Sequence, residues 1–325
     1  MAPHRSRTAQ LRYPERMELP LTEETIRGIV ARLAHLRSAY GDAFADPDLI
    51  EPNGTYFPDA FALEPASIER LLRRMSSYAP IADDLDIALG FIEPDGQVTG
   101  GGCGSGACGT GGLKEIARGG AVETEDGYAA LVHVQDVGDP TILTTALARS
   151  IGRIVMFEAD EDVDPRDEGA LSELTAIASG FGVLLLNGSC VYKKGCGGMK
   201  RHQATFLGVE EIALALALFV RATKKKPSTV RAHLEITQKE AFDAALAWVD
   251  AQPTLVRTLA EDPEKLEDGI FAFEEKKGFF SRLFANKSND GLDAPVSVKP
   301  RERSEEERRR LAEAKALVEE ALSEG

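Results

Sequence analysis

The stretch DPTILTTALARSIGRIVMFEAD, residues 139–160, constrains the fold more than any other part of the chain. Asp139 supplies a side-chain acceptor ahead of Pro140, and a proline whose fixed backbone angle suits the first helical position makes this a strong start signal. Beyond it Ala148, Ile151, Gly152, Val155 and Met156 recur at a spacing that predicts one buried face of a helix. That face also carries Arg149 and Arg153, four residues apart. Arginine is never deprotonated in a protein and has no lone pair to give. What these two guanidinium groups meet therefore decides what the helix can do.

The surroundings narrow the choice of fold. A chain of 325 residues is long enough for one large or two small domains. Helical periodicity is clear in LTEETIRGIVARLAHLRSAYG, with Thr22 as N-cap and Gly41 as stop, and again in EPASIERLLRRMSSYAP. DLDIALGFI and GYAALVHVQDV read as strands separated by a glycine-dense loop. DEGALSELTAIASGFGVLLLN reads as a long buried helix ending at Asn187 and Gly188, and GVEEIALALALFVRAT as another core helix. PSTVRAHLEI and TQKEAFDAALAWVDAQ look like a helical pair. The fold class is α+β: buried helices with a small sheet, followed by a helical C-terminal extension. The expected divisions are a flexible arm over 1–20, a main domain over 21–223, an extension over 224–286, a polar linker over 287–303 and a charged helix over 304–325.

Charge and composition exclude several partners. With 38 basic against 53 acidic residues and a net charge of -15, the chain lacks the excess of Lys and Arg that a nucleic-acid surface needs. The N-terminal arm carries Arg5, Arg7, Arg12 and Arg16 without the apolar core of a signal peptide. The apolar runs Ile212–Val220 and Ala176–Leu186 fall short of the ~20 residues that span a bilayer. Four cysteines in a chain of this length do not make a disulfide scaffold, so a reducing cytoplasm is expected.

Aligned on ALARSIGRIVMF, the chain resembles the catalytic helix of bacterial zincin-like metallopeptidases, which reads AHELGHIV in that group. TYFPDAF upstream resembles the group's EFFPDPF segment, and ELTAIASGFGVLLLNGS resembles its helix after the motif. The likeness covers roughly Leu49 to Val220. In an H-E-x-x-H peptidase two histidines four residues apart bind zinc, the glutamate between them activates the metal-bound water, and a third ligand follows. The resemblance places Arg149 and Arg153 at the histidine positions, Ser150 at the glutamate position and Glu173 at the third ligand, with Glu168 as a poorer candidate for the last. Arginine cannot ligate zinc, and an isolated hydroxyl is too weak a base. The resemblance thus implies a domain without peptidase chemistry, in which a fork of arginine donors satisfies the carboxylate that once held metal.

Other motifs leave alternatives open. GQVTGGGCGSGACGTGG, residues 96–112, contains G-x-G-x-x-G at Gly104, Gly106 and Gly109 and follows a strand, but no amphipathic helix of useful length comes after it. A mobile loop is the plainer reading. Cys103 and Cys108 lie in that loop, and Cys190 and Cys196 flank VYKKG. The four could form a structural zinc site, a disulfide or free thiols, although their spacing is looser than the usual zinc knuckle. His133 and His202 have no second ligand nearby in sequence, and Cys190 or Cys196 with His202 is the least bad nucleophile pair. In EEKKGFFSRLFANK, the apolar Phe279, Phe280, Leu283 and Phe284 share a helical face flanked by Lys276, Lys277, Arg282 and Lys287. A short interfacial anchor or a ligand for a partner's groove is built this way, so 276–287 is expected to be an interaction segment, with peripheral membrane contact as one alternative and aromatics that cap the preceding helices as another. The expectation is a non-catalytic, metallopeptidase-like protein that binds a protein partner, with no cofactor. Its alternatives are a hydrolase using a Cys/His or glycine-loop site and a structural subunit of a larger assembly.

Overall fold

The computed structural model describes residues 19–274, apart from 83, 94–97, 100–119, 126, 162 and 196–197. Cys103, Cys108 and Cys196, all of loop 96–112 except Val98 and Thr99, and everything from residue 275 onward lie outside the described residues, including Phe279, Phe280, Arg282, Leu283 and Phe284, the linker and the last helix. So does nearly all of the N-terminal arm.

Helix α1 (Glu23–Ala39) starts where Thr22 accepts the Thr25 amide at 3.1 Å, and it turns Ile26, Ile29, Val30, Leu33 and Leu36 inward. Helix α2 (Pro65–Ser76) opens on proline and buries Ile68, Leu72 and Met75. Four short strands follow: β1 (Asp86–Ile92), β2 (Val98–Thr99), β3 (Gly120–Glu123) and β4 (Gly127–His133). They form one sheet in the order β2-β1-β4-β3, in which β1 and β4 run parallel with Leu89 opposite Ala130, and β3 pairs antiparallel with β4.

Helix α3 (Pro140–Glu158) is capped by Asp139, whose carboxylate accepts the Thr141 and Ile142 amides. Helix α4 (Glu168–Ala176) packs against it. The chain then passes through one wide turn, Ile177–Phe181, into α5 (Gly182–Gly188). A hairpin of β5 (Val191–Gly195) and β6 (Gly198–His202) leads to α6 (Val209–Ala222). Helices α7 (Pro227–Ala232), α8 (Ile236–Asp250) and α9 (Pro253–Glu261) complete the described chain.

Two features differ from the sequence reading. Residues 168–188 do not form an unbroken helix, because Gly180 adopts φ +99°, a left-handed conformation that side chains resist. Its carbonyl accepts the Ile50 amide at 3.0 Å, and a Cβ there would fall 1.9 Å from the Asp48 carbonyl oxygen. The break is thus set by a segment more than a hundred residues away. Second, the extension expected after residue 223 shares the main core. Helix α6 is buried along almost its whole length, and a helix apolar on all sides must be covered on all sides. Val230, Phe242, Leu246, Val249, Leu255 and Leu259 join the same cluster as α6 and α1. All described residues belong to one compact unit ending at Glu275. Among them, one segment, Glu168–Gly188, is long and apolar enough to cross a membrane, and 83% of its most apolar window is buried inside the protein.

Candidate functional site

Helices α3 and α4 approach each other closely at Gly152, where a Cβ would fall 2.1 Å from the Ser172 carbonyl oxygen and 3.0 Å from the Ala176 methyl. Hydrogen at this position lets the backbones touch, and that contact fixes what the flanking arginines can reach. On one side Arg149 lies with Nε 2.8 Å from Oε1 of Glu173, the two side chains being 4% and 0% exposed. On the other, Arg153 pairs with Glu168, and there both partners keep more than a fifth of their surface in solvent.

The single cluster expected from Arg149, Arg153 and Glu173 is therefore two separate rungs between antiparallel helices. Glu173 and Glu168 stand five residues apart on α4, about 7.5 Å along a helix, so each carboxylate meets one arginine rather than both. Ser150 is not part of either rung. Its hydroxyl donates to the Gly120 carbonyl at 2.8 Å and lies 3.1 Å from that of Ala146, which ties α3 to the start of β3. One residue along a helix turns a side chain by about 100°, so a group at 150 faces the sheet while its neighbours face α4.

The inner rung also organises the loop between β6 and α6. The two Glu173 oxygens accept the amides of Phe206 at 2.7 Å and Leu207 at 2.9 Å. Arg149 Nη1 donates to the Ala204 carbonyl at 3.2 Å, and the guanidinium carbon sits 4.6 Å from the centre of the Phe206 ring. Burial pushes the Glu173 carboxyl up to about 7, against the opposite pull of Arg149 and of the two amides. The outer rung lies under a ring as well, with the Arg153 guanidinium carbon 5.1 Å from the centre of Phe157.

Chemically, the inner rung pairs a cation that has no lone pair with a carboxylate that accepts two backbone amides. Among the described residues no group of three or more His, Cys, Asp or Glu side chains could hold a metal ion. Cys190 is a buried free thiol, 2% exposed, whose carbonyl accepts Gln238 Nε2 at 2.6 Å. The β5–β6 register pairs the next residue, Val191, with His202, so the Cys190/His202 pair expected from sequence is brought to the same end of one hairpin, with the sulfur shut off from solvent. His133 ends β4 opposite Ile92.

A pocket of about 460 Å³, unforeseen in the sequence, is lined by none of the four rung residues. Segment 52–61, α2, the first turn of α3 and α5 enclose it. Its only advance signal was the pair Arg70 and Arg74, four residues apart on α2, which an amphipathic helix would present to water anyway. Comparison with family models, curated proteins and solved structures finds no match.

Proposed function

We propose that this chain is a zincin-like pseudo-peptidase of the cytoplasm, a protein that has exchanged its metal site for a buried ion pair and works by binding a protein partner. The observation that carries the reading is the Arg149–Glu173 pair. In the group the sequence resembles, these positions hold the first histidine ligand and the acidic third ligand, and here the guanidinium stands where the cation's charge would be. Two further features support it. Ser150, at the position of the general base, spends its hydroxyl on a strand carbonyl. The loop at Phe206 is held by the pair while the ring itself is half exposed, which offers a rigid aromatic contact beside the former site. The segment Phe279–Phe284 supplies a second contact for the partner.

The test is elemental analysis of the purified full-length protein together with a peptidase assay. The expected result is no stoichiometric transition metal and no chelator-sensitive cleavage of peptides. One equivalent of zinc that survives replacement of all four cysteines would overturn the reading. For the binding role, Phe280→Ala with Phe284→Ala should weaken capture of the partner while leaving the melting temperature nearly unchanged.

A further inference from the structure

We infer that the pocket between α2, α3 and α5 is a binding site for an organic carboxylate with an apolar body, whose charge is met by Arg70. The inference does not depend on the pseudo-peptidase reading. A volume of about 460 Å³ lies within the range of small-molecule sites. Its walls include Phe57, Phe61, Leu71, Leu143 and Leu184, so most of a bound molecule would be in apolar contact.

The polar groups define the rest of the ligand. On α2 the positions Ser67, Arg70, Leu71 and Arg74 share one face and line the pocket. Arg74 is spent on Asp59, with Nε and Nη2 donating to the same carboxylate oxygen at 3.1 and 2.9 Å. Arg70 differs. Its Nη2 donates to Ser67 Oγ at 2.6 Å, which anchors one end of the guanidinium, and among the described residues no carboxylate pairs with it. Asp59 cancels Arg74, so Arg70 leaves the pocket with a surplus positive charge in a protein whose net charge is -15.

The charge available selects the class of anion. The first amides of α3 at the pocket wall are already taken, since Asp139 accepts those of Thr141 and Ile142 at 3.0 and 3.3 Å. A phosphate would find neither an amide nest nor a second free cation. A carboxylate needs only one guanidinium fork, to which its two oxygens are matched. The same chemistry is offered by a free aliphatic acid and by the C-terminus of a short apolar peptide.

Titration calorimetry on the full-length protein tests this with decanoate, 1-decanol and acetyl-Phe-Leu bearing a free carboxylate. At least one carboxylate is expected to bind with one-to-one stoichiometry, and which of the two binds identifies the source. Arg70→Gln should weaken that ligand at least tenfold, Arg73→Gln on the neighbouring face should leave it unchanged, and decanol should be indifferent to both. Leu71→Trp, which fills the pocket, should abolish binding, with circular dichroism checking that each variant is folded. Absence of saturable binding by either carboxylate would overturn the inference. So would equal affinity in the wild type and in Arg70→Gln.

Discussion

Glu173 is the residue on which the two helices and the loop before α6 depend together. Deleting its carboxylate takes from the buried Arg149 guanidinium the charge 2.8 Å from its Nε, and removing one partner of a buried pair costs about 3–5 kcal/mol. Glu173→Ala should lose that much in urea unfolding at pH 8, where the carboxyl is ionised, and Glu173→Gln less, since an amide oxygen still accepts a hydrogen bond. A double-mutant cycle should give clear coupling between Glu173 and Arg149 and almost none between Glu173 and Arg153, whose partner is Glu168. Glu168→Gln should cost about 1 kcal/mol, less than the inner pair, because this rung keeps part of its surface in solvent. The pH dependence has a definite sign. The Glu173 carboxyl sits at about 7 in the folded protein against an ordinary value of 4.5, so between these limits the folded state keeps a proton that the unfolded chain releases. The stability from that proton is fully present below pH 4.5 and is lost as pH rises through 7, a change of about 3 kcal/mol at 1.36 kcal/mol per unit. Unfolding at pH 5 and pH 8 should show the wild type losing stability relative to Glu173→Gln. An identical pH profile for the two proteins would remove Glu173 as the cause. The identity of this residue as an acidic partner was legible in the sequence, whereas the choice of arginine was not. That choice follows from the axial register of two helices, and no local pattern encodes it.

At the scale of elements, glycine marks both what the sequence announces and what it conceals. Gly28 and Gly152 each look like an isolated glycine in an amphipathic helix, yet they do opposite things. Gly28 is exposed on α1 with nothing within 4 Å of where a Cβ would stand, so Gly28→Ala should raise stability by about 0.5–1 kcal/mol. Gly152 is the contact point of α3 and α4, so Gly152→Ala should lower stability by about 1–3 kcal/mol despite its better helix propensity. Denaturant midpoints of the two variants shifting in the same direction would contradict this account. The ends of α1 and α3 were readable because Thr22 and Asp139 act on amides two or three residues away. The strands β1 and β4 were readable as strands, but their parallel pairing was not, since it depends on a connection that crosses over rather than on either strand. The hairpin β5–β6 escaped notice because VYKKG and GMKRH are rich in basic residues and lack an apolar–polar alternation in sequence. The left-handed Gly180 was hidden in an apolar run where a tolerated helical glycine looks the same.

At the scale of the whole molecule, one core joins parts that composition would separate. A chain ended at residue 223 should fail to fold cooperatively, because α6 would lose Phe242, Leu246 and Val249 from the cluster that encloses it. Residues 19–274 should instead unfold in a single transition, with near-ultraviolet and far-ultraviolet circular dichroism coinciding. Two separated transitions would restore the division at 223. The sequence showed the apolar character of α6 plainly but not what covers it, because α8 supplies that cover only as a tertiary partner. The order of synthesis adds a consequence for the apolar stretch Glu168–Gly188. It leaves the ribosome ahead of α6, whose Leu216 packs against Gly182, and ahead of α8 beyond that. At about 5–20 residues per second the ribosome needs some seconds to deliver this cover. Throughout that interval the nascent chain holds a segment with the length and apolarity of a membrane span that still lacks its α6 and α8 cover, so chaperone occupancy on translating ribosomes should peak there and fall once α6 and α8 have emerged.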